Sequence, residues 1–223
     1  MSLGGRLMSP TKEDYLKSIA QLGGINNIVS NKALANALNI KAGSVTEMIG
    51  RLVKDGLVTY IPYKGVQLTT YGKEKAGQLI RKHRLWEVFL VDTLGFDWNE
   101  VHKEADRLEH ASSDELMNRL EEFLGFPETD PHGAFIPGKD GKINRTNYVP
   151  LSDLNAGETF IFKQVEDDEE LLSFLTDNHF AINQNYEVIE KNDSADKLVV
   201  ALDDGAHLTI PHSKTERIFV EAV

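Results

Sequence analysis

The order of helical and strand patterns in the first third of the chain is the feature that most constrains its fold. Apolar residues recur at helical spacing in three successive stretches, and Gly23-Gly24 and Asp55-Gly56 end the first and the third. Two strand patterns follow at 57–62 and 66–69, joined by a turn at 63–65. Helix, short helix, turn, helix and β-hairpin is the order of a winged helix-turn-helix domain. The expected helix starts are Thr11, Ser30 or Asn31, and Ser44.

Beyond the hairpin, the apolar pattern changes from helical to strand periodicity. Thr70 is expected to cap a long helix that reaches about Leu94, and two shorter helices are expected at 98–110 and 113–124. A segment rich in proline and glycine, 126–150, is interpreted as an ordered linker. Short strands at the spacing seen after this linker favour a small β-barrel, so we expect a mostly α chain with a C-terminal β-barrel. The strand patterns lie at 159–165, 186–190, 198–202, 207–210 and 218–220.

Charge and cysteine content narrow the classes of function. The net charge of −11 is uneven, because residues 1–76 carry ten Lys and Arg against five Asp and Glu. This basic first third is compatible with nucleic acid, whereas the acidic remainder is not. The absence of cysteine excludes disulfides and thiolate ligands and fits a cytoplasmic protein. No apolar run approaches the roughly 20 residues of a bilayer span, so no membrane association is expected.

The expected DNA-binding surface follows from the winged-helix order. In such domains the second helix of the pair enters the major groove, and its first turn meets base edges and phosphates. A local charge of +5 gives only modest affinity by itself, so we expect a homodimer on double-stranded DNA. Winged helices also serve as protein-docking surfaces, which leaves an interaction module as the alternative. The candidate DNA contacts are Lys41, Ser44, Thr46, Glu47, Arg51 and Lys54 on the helix, with Tyr63 and Lys64 at the wing tip.

A second set of residues indicates a metal site. His102, Asp106, Glu109 and His110 share one face of a helix, because their offsets of 0, 4, 7 and 8 place them within a narrow arc. His83 and Glu87 form a similar pair at a spacing of four. Imidazole and carboxylate ligands without thiolates favour hard or borderline divalent ions. Weaker signals come from Asp14, Asp130 and His132, and the acidic run 166–170 is interpreted mainly as a solvated edge or loop.

Six sequence stretches together resemble the diphtheria-toxin-repressor family of metal-dependent transcriptional regulators, and within it the manganese-responsive branch. The resemblance spans nearly the whole chain from Met8. It implies a winged helix-turn-helix domain at 8–73, a helical metal-binding and dimerisation domain at 74–148, and an SH3-like β domain at 149–223. The matching stretches are KEDYL at 12–16, SVTEMI at 44–49, RKHRLWEVFL at 81–90, LEH at 108–110, GFP at 125–127 and PHG at 131–133.

The resemblance also implies which residues bind the metal. A primary site would use Asp14, Asp106, Glu109 and His110, and an ancillary site would use His83, Glu87 and His102, with further ligands from Asp130, His132 or Asp167. Carboxylates at Asp14 and Asp106 replace the softer ligands of the iron-responsive branch. The ion implied is Mn²⁺ or else Fe²⁺, with Zn²⁺, Co²⁺ or Cd²⁺ able to substitute in vitro. Lys17 departs from members that use a carboxylate there for a two-metal cluster.

These features predict a metal-dependent repressor that controls metal-uptake genes, in which bound metal orders a dimer for operator DNA. No small-molecule substrate is expected. A metalloenzyme with a two-histidine, two-carboxylate centre is a rival interpretation, but the sequence offers no identifiable nucleophile or phosphate-binding loop. The other rival is a protein-interaction module with a winged-helix fold and a structural metal site.

Overall fold

The computed structural model describes residues 8–143, 146–202 and 205–223. The chain divides into two compact units. The first unit contains the chain up to His83, Arg107–Met117 and the segment that begins at Ile136. The second contains Arg84–Asp106, Asn118–Phe135 and the C-terminal third of the chain.

The first unit is built on three helices and a hairpin. Helix α1 begins at Pro10, which tolerates a first helical position because its missing N–H would be unpaired there. Ser30 caps α2, since its side chain accepts a hydrogen bond from the Ala33 amide at 3.1 Å. The expected start of the third helix at Ser44 was two residues late, because Lys41 is the capping position. The elements are α1 (Pro10–Ile19), a π-helical turn (Ala20–Gly24), α2 (Asn31–Ala37), α3 (Ala42–Lys54), β1 (Val58–Ile61) and β2 (Gly65–Leu68).

The core of this unit joins the helices to the hairpin. β1 and β2 pair antiparallel with Tyr60 opposite Val66. Val29 forms an isolated bridge to Val66, which ties the loop before α2 to the hairpin. Gly65, with a φ of 136°, allows this close approach, because a Cβ there would collide with the Val29 carbonyl oxygen. The order predicted from the sequence is confirmed through β2.

Three helices contribute residues to both units. They are α4 (Thr70–Val88), which continues as a π-helical turn (Phe89–Thr93), α5 (His102–Glu109) and α6 (Asp114–Phe123). The Thr69 hydroxyl, not Thr70, accepts the Gly72 amide at 3.0 Å and caps α4. The helix predicted at 98–110 is shorter than expected, because residues 98–101 form a turn and α5 begins only at His102.

The second unit contains a six-stranded antiparallel sheet with the order β3-β8-β4-β5-β6-β7. Its inward-facing residues alternate along the strands and bury an aromatic group that includes Phe160, Phe162, Phe180 and Tyr186. The described strand pairs leave β3 and β7 at the two ends of the sheet, so the predicted closed barrel is not shown. The elements are β3 (Val149–Pro150), a 3₁₀ turn (Leu151–Asp153), β4 (Thr159–Val165), α7 (Glu169–Asp177), β5 (Asn185–Asn192), a second 3₁₀ turn (Asp193–Ala195), β6 (Lys197–Ala201), β7 (His207–Pro211), α8 (His212–Thr215) and β8 (Ile218–Ala222).

The acidic run after β4 does more than face solvent. Asp168 caps α7 by accepting the Leu171 amide at 2.9 Å, and Glu166 accepts from the Arg217 guanidinium at 2.8 Å. Among the helices of the described residues, none combines the length and apolarity that a bilayer span requires.

Candidate metal centres and DNA-binding surface

The first candidate centre, here called the helix-1 cluster, consists of Asp14, Glu109 and His110. Their ligand atoms all lie within 4.8 Å of one another. Helix α1 directs Asp14 to this place because its neighbours Tyr15 and Leu16 are buried in the core. The end of α5 supplies Glu109, which is only 1% exposed, and His110 follows directly. Residues almost one hundred positions apart are thereby brought together.

The ring of His110 is held from both sides. Its Nδ1 lies 2.6 Å from a Glu13 carboxylate oxygen, and its Nε2 lies 3.0 Å from Asp14 Oδ1 and 3.6 Å from Glu109 Oε1. A carboxylate that accepts Nδ1–H leaves Nε2 as the nitrogen directed at the other two carboxylates. Glu13 therefore orients the imidazole toward the cluster.

A buried ammonium group already neutralises part of this cluster. Lys17 Nζ donates to both oxygens of Glu109, at 2.9 and 3.0 Å. His83 Nδ1 lies 2.6 Å from Glu109 Oε2, so this carboxylate has two cationic or donor partners inside the protein. A carboxylate with so little exposure needs such partners, because an unpaired buried charge is strongly destabilising.

The donor set of the helix-1 cluster fits a divalent cation. Two carboxylates and an imidazole are ligands that hard or borderline ions prefer. Burial raises the pKa of Asp14 and of Glu13 above their ordinary values, although His110 beside them acts in the opposite direction. A positive charge at this position would remove the cost of holding these carboxylates ionised.

Two residues predicted for the metal sites have other neighbours. His83 belongs to the first unit, where its Nδ1 contacts Glu109. Asp106 belongs to the second unit, where its carboxylate lies 3.4 Å from His102 Nε2, one helical turn earlier. Neither residue is among the three of the helix-1 cluster.

The second candidate centre, here called the Glu87 cluster, lies within the second unit. Glu87, His102 and Asp167 have ligand atoms within 4.8 Å of one another, and so do Glu87, Asp130 and His132. The sequence offered Asp130, His132 and Asp167 only as further ligands. In the structure each of them lies close to Glu87, as His102 does. Three carboxylates and two imidazoles again fit a hard or borderline divalent ion.

The acidity of two residues in the Glu87 cluster is strongly perturbed. Burial lowers the pKa of His102, but hydrogen bonds to Asp167 and Glu87 outweigh it and raise the pKa to about 10. Burial raises the pKa of Asp130 to about 6, against the opposing charge of Arg84, whose Nε lies 3.1 Å away. At neutral pH His102 therefore holds a proton that a bound cation would displace.

The candidate DNA-binding residues all lie on the exposed surface of the first unit. The five on α3 and its capping residue Lys41 are exposed. Tyr63, at 104%, and Lys64 are exposed at the turn between β1 and β2. Arg51 donates to the Glu47 carboxylate at 2.6 Å. The sequence predicts a separate DNA contact for each of these residues and does not predict this pair. Gly50 adds a further open position on the same helix, because a Cβ there would meet nothing within 4 Å.

Sequence reasoning missed several residues around these centres. Glu13 lay beside Asp14 with no signal of its own, and the partnership of Arg84 with Asp130 crosses many residues of the chain. For Lys17, helical periodicity carries a partial signal: it lies three residues after Asp14 on α1, close to the same face.

Comparison with known proteins agrees with this architecture. Residues 7–66 match the iron dependent repressor N-terminal DNA binding domain, residues 69–138 match the iron dependent repressor metal binding and dimerisation domain, and residues 149–222 match the FeoA domain. The iron-dependent repressor IdeR of Mycobacterium leprae (strain TN) is 30% identical over 226 residues, which cover 96% of this chain and 97% of that protein.

Solved structures give the same result. A manganese-dependent transcriptional repressor in complex with manganese is 35% identical, with a TM-score of 0.89 over 95% of this chain and all of that one. ScaR with bound Zn²⁺ is 32% identical, with a TM-score of 0.82 over 95% of this chain and 99% of that one. The helical N-terminal DNA-binding domain and the C-terminal antiparallel sheet are thus those of metal-dependent repressors. The chain belongs to the diphtheria-toxin-repressor family of metal-dependent transcriptional repressors.

Proposed function

We propose that this protein represses metal-uptake genes in response to Mn²⁺, as a cytoplasmic homodimer that binds operator DNA and catalyses no reaction. The family descriptions, which include a DNA binding domain and a dimerisation domain, support the DNA target and the dimer. Their spans also support a division into DNA-binding, metal-binding and SH3-like domains at 8–73, 74–148 and 149–223. A manganese-bound relative supports the choice of ion, and an iron-dependent relative makes Fe²⁺ the next candidate.

One observation carries the proposal: Asp14 on the first helix of the winged-helix segment lies within 4.8 Å of Glu109 and His110 at the end of α5. A bound divalent ion supplies positive charge that offsets the repulsion among these carboxylates. Asp14 and Glu109 then hold α1 against the end of α5, and Glu13 keeps His110 directed at the same point. Because α1 packs in the core that also holds α3, fixing α1 restrains the helix that faces DNA.

The remaining predicted ligands belong to the same proposal. Asp106 follows from the family pattern as a fourth primary ligand. His83, Glu87 and His102 would form the ancillary site, to which Asp130, His132 and Asp167 contribute. Since Lys17 already occupies both oxygens of Glu109, the helix-1 cluster is proposed to take a single ion.

The proposed DNA contacts divide by chemistry. Lys41, Ser44 and Thr46 lie at the start of α3, where amides and hydroxyls suit phosphate, and Glu47 suits a cytosine amine. Arg51, Lys54, Tyr63 and Lys64 extend this surface toward flanking phosphates.

The decisive experiment measures operator binding by fluorescence anisotropy while Mn²⁺, Fe²⁺, Zn²⁺ or Cd²⁺ is titrated separately. A coupling of about 1–3 kcal/mol would raise DNA affinity about 5–150-fold. Asp14→Ala and Glu109→Ala should abolish that increase. Asp114→Ala is the matched control, because its carboxylate is 85% exposed and outside both clusters. Metal-independent binding that persists in both cluster variants would contradict the proposal and favour the interaction-module alternative.

A further inference from the structure

Trp98 contacts His132 through both its backbone and its ring. The carbonyl oxygen of Trp98 lies 2.8 Å from His132 Nε2. The two rings stack with centroids 5.8 Å apart and an interplanar angle of 18°. His132 is only 2% exposed, and the Trp98 ring covers one face of its imidazole.

The first contact determines which ring nitrogen carries the proton. A carbonyl oxygen can only accept a hydrogen bond, so Nε2 of His132 must be the donor. In a neutral imidazole the other nitrogen, Nδ1, then has the lone pair. Nδ1 lies 3.9 Å from a Glu87 oxygen of the Glu87 cluster. Nε2 lies 4.0 Å from Asp167 Oδ1, but its hydrogen is engaged by the Trp98 carbonyl oxygen at 2.8 Å.

We infer that Trp98 is a positioning residue that holds His132 in its Nε2–H tautomer, so that His132 offers Nδ1 to the divalent cation of the Glu87 cluster. The inference rests on the proposed function only in assuming that this cluster takes a metal. A histidine ligand whose second nitrogen donates to a carbonyl is oriented and made more basic by that bond.

Trp98 is itself held in place by α7. Its indole Nε1 donates to the Thr176 hydroxyl at 2.7 Å, and the Asn99 amide donates to the Ser173 hydroxyl at 3.1 Å. Thr176 and Ser173 are three residues apart and share a helical face. Trp98 and Asn99 are thus both hydrogen-bonded to α7, and these bonds fix the position of the Trp98 carbonyl oxygen that His132 contacts.

The backbone around His132 is equally constrained. Its amide donates to Asp130 Oδ1 at 2.9 Å, and its carbonyl accepts from the Val165 amide at 3.0 Å. Gly133 follows with a φ of 82°, and a Cβ there would collide with the Lys163 carbonyl oxygen. With the backbone fixed on one side and Trp98 on the other, the imidazole has little freedom to turn over.

The primary test is long-range ¹H–¹⁵N NMR of histidine-labelled, metal-free full-length protein at mildly alkaline pH, with His132 assigned by His132→Gln. We expect the Nε2–H tautomer. Adding Zn²⁺, a diamagnetic probe, should then shift the Nδ1 resonance. An Nδ1–H tautomer, a doubly protonated ring or coordination through Nε2 would each overturn the inference.

A variant series tests the role of the indole. Trp98→Ala should populate the second tautomer and weaken Zn²⁺ binding about tenfold, the lower end expected for loss of an orienting contact. If Trp98→Ala does not fold, Thr176→Val removes the hydroxyl that anchors the indole, together with its bond to the Leu172 carbonyl within α7, and should shift the tautomer in the same direction. Trp86→Phe is the control, because the Trp86 ring packs edge-on against Phe89 with centroids 5.8 Å apart, and it should leave the His132 spectrum unchanged.

An unaltered tautomer in a folded Trp98→Ala protein would overturn the positioning role. These measurements use metal-free protein and Zn²⁺ without DNA. Failure of the inference is therefore separable from failure of the repressor proposal, which would appear only in operator binding.

Discussion

The buried pair of Lys17 and Glu109 makes the metal-free protein sensitive to a single substitution. Lys17→Met keeps the length and apolar stem of the side chain but removes the ammonium that meets both Glu109 oxygens at 2.9 and 3.0 Å. The side chains are 9% and 0% exposed, so water cannot replace the lost partner. Breaking a buried pair in this way costs about 3–5 kcal/mol.

We expect the lower value, about 3 kcal/mol, because His83 retains its contact with Glu109. Unfolding of the helices, followed by circular dichroism in urea with a chelator present, should show a midpoint about 1 M lower, given a slope of about 3 kcal/mol/M for a chain of this size. Added Mn²⁺ should recover more stability in the variant than in the wild-type protein, since the ion supplies the missing charge.

Lys82→Met is the matched control for this experiment. Lys82 Nζ lies 3.0 Å from Asp114, whose side chain is 85% exposed, and donates to the Ser112 carbonyl oxygen at 2.8 Å. Its substitution leaves no buried charge unpaired, so the expected loss is only about 1 kcal/mol. Equal losses in the two lysine variants, or a Lys17→Met protein that unfolds at the wild-type midpoint, would show that the buried ammonium does not stabilise Glu109 as expected.

Other expectations concern the two surfaces that the function needs. Gly50→Ala should stabilise the fold against urea by about 0.5–1 kcal/mol, because Ala is the better helix former and its Cβ meets nothing within 4 Å. The added methyl group should also weaken operator binding measured by anisotropy. Unchanged affinity would mean that the duplex does not approach this face of α3. With its pKa raised to about 10, His102 is protonated at neutral pH and must lose that proton to bind a cation. Metal affinity should therefore rise as the pH rises toward 10; calorimetry in buffers of different ionisation enthalpy should record about one released proton, which His102→Gln removes. Glu13→Ala should weaken Mn²⁺ binding, measured by electron paramagnetic resonance, about tenfold, since His110 Nδ1 loses its hydrogen-bond acceptor. Glu13→Gln should weaken binding less, because its amide oxygen still accepts. Equal losses of affinity would show that Glu13 does not act as this acceptor.

Local chemistry made the first unit predictable from the sequence. Ser30 caps α2 through a contact within its own segment, so the cap does not depend on the rest of the fold. The change from helical to alternating apolar spacing after Gly56 likewise predicts the hairpin from the local sequence alone. The same reasoning failed at Trp98, where apolar spacing continued the pattern of α5 but hydrogen bonds to α7 hold the residue in a turn. Tertiary contacts outweighed local preference there.

The candidate metal residues show the same limit. Helical spacing relates residues such as Glu109 and His110 within one element, but it gives no distance between Asp14 and either of them. The acidic run 166–170 was expected mainly to face solvent, because a helix cap, an arginine partner and a histidine contact look alike in the sequence. Only the folded chain distinguishes Asp168 as a cap from Asp167 as a neighbour of His102.

The contact of Arg51 with Glu47 bears on how such a protein would search a chromosome. Away from its target, the guanidinium is engaged at 2.6 Å by a carboxylate on its own helix. The bond to Glu47 uses one N–H of the guanidinium and places a carboxylate beside it, so a nearby phosphate would gain less from this cation than from an unpaired arginine. If Glu47 accepts a hydrogen bond from a cytosine amine, as proposed, its carboxylate is shared and the guanidinium becomes more available to a phosphate. The proposed base contact and phosphate contact would then strengthen together on the matching sequence and weaken together elsewhere.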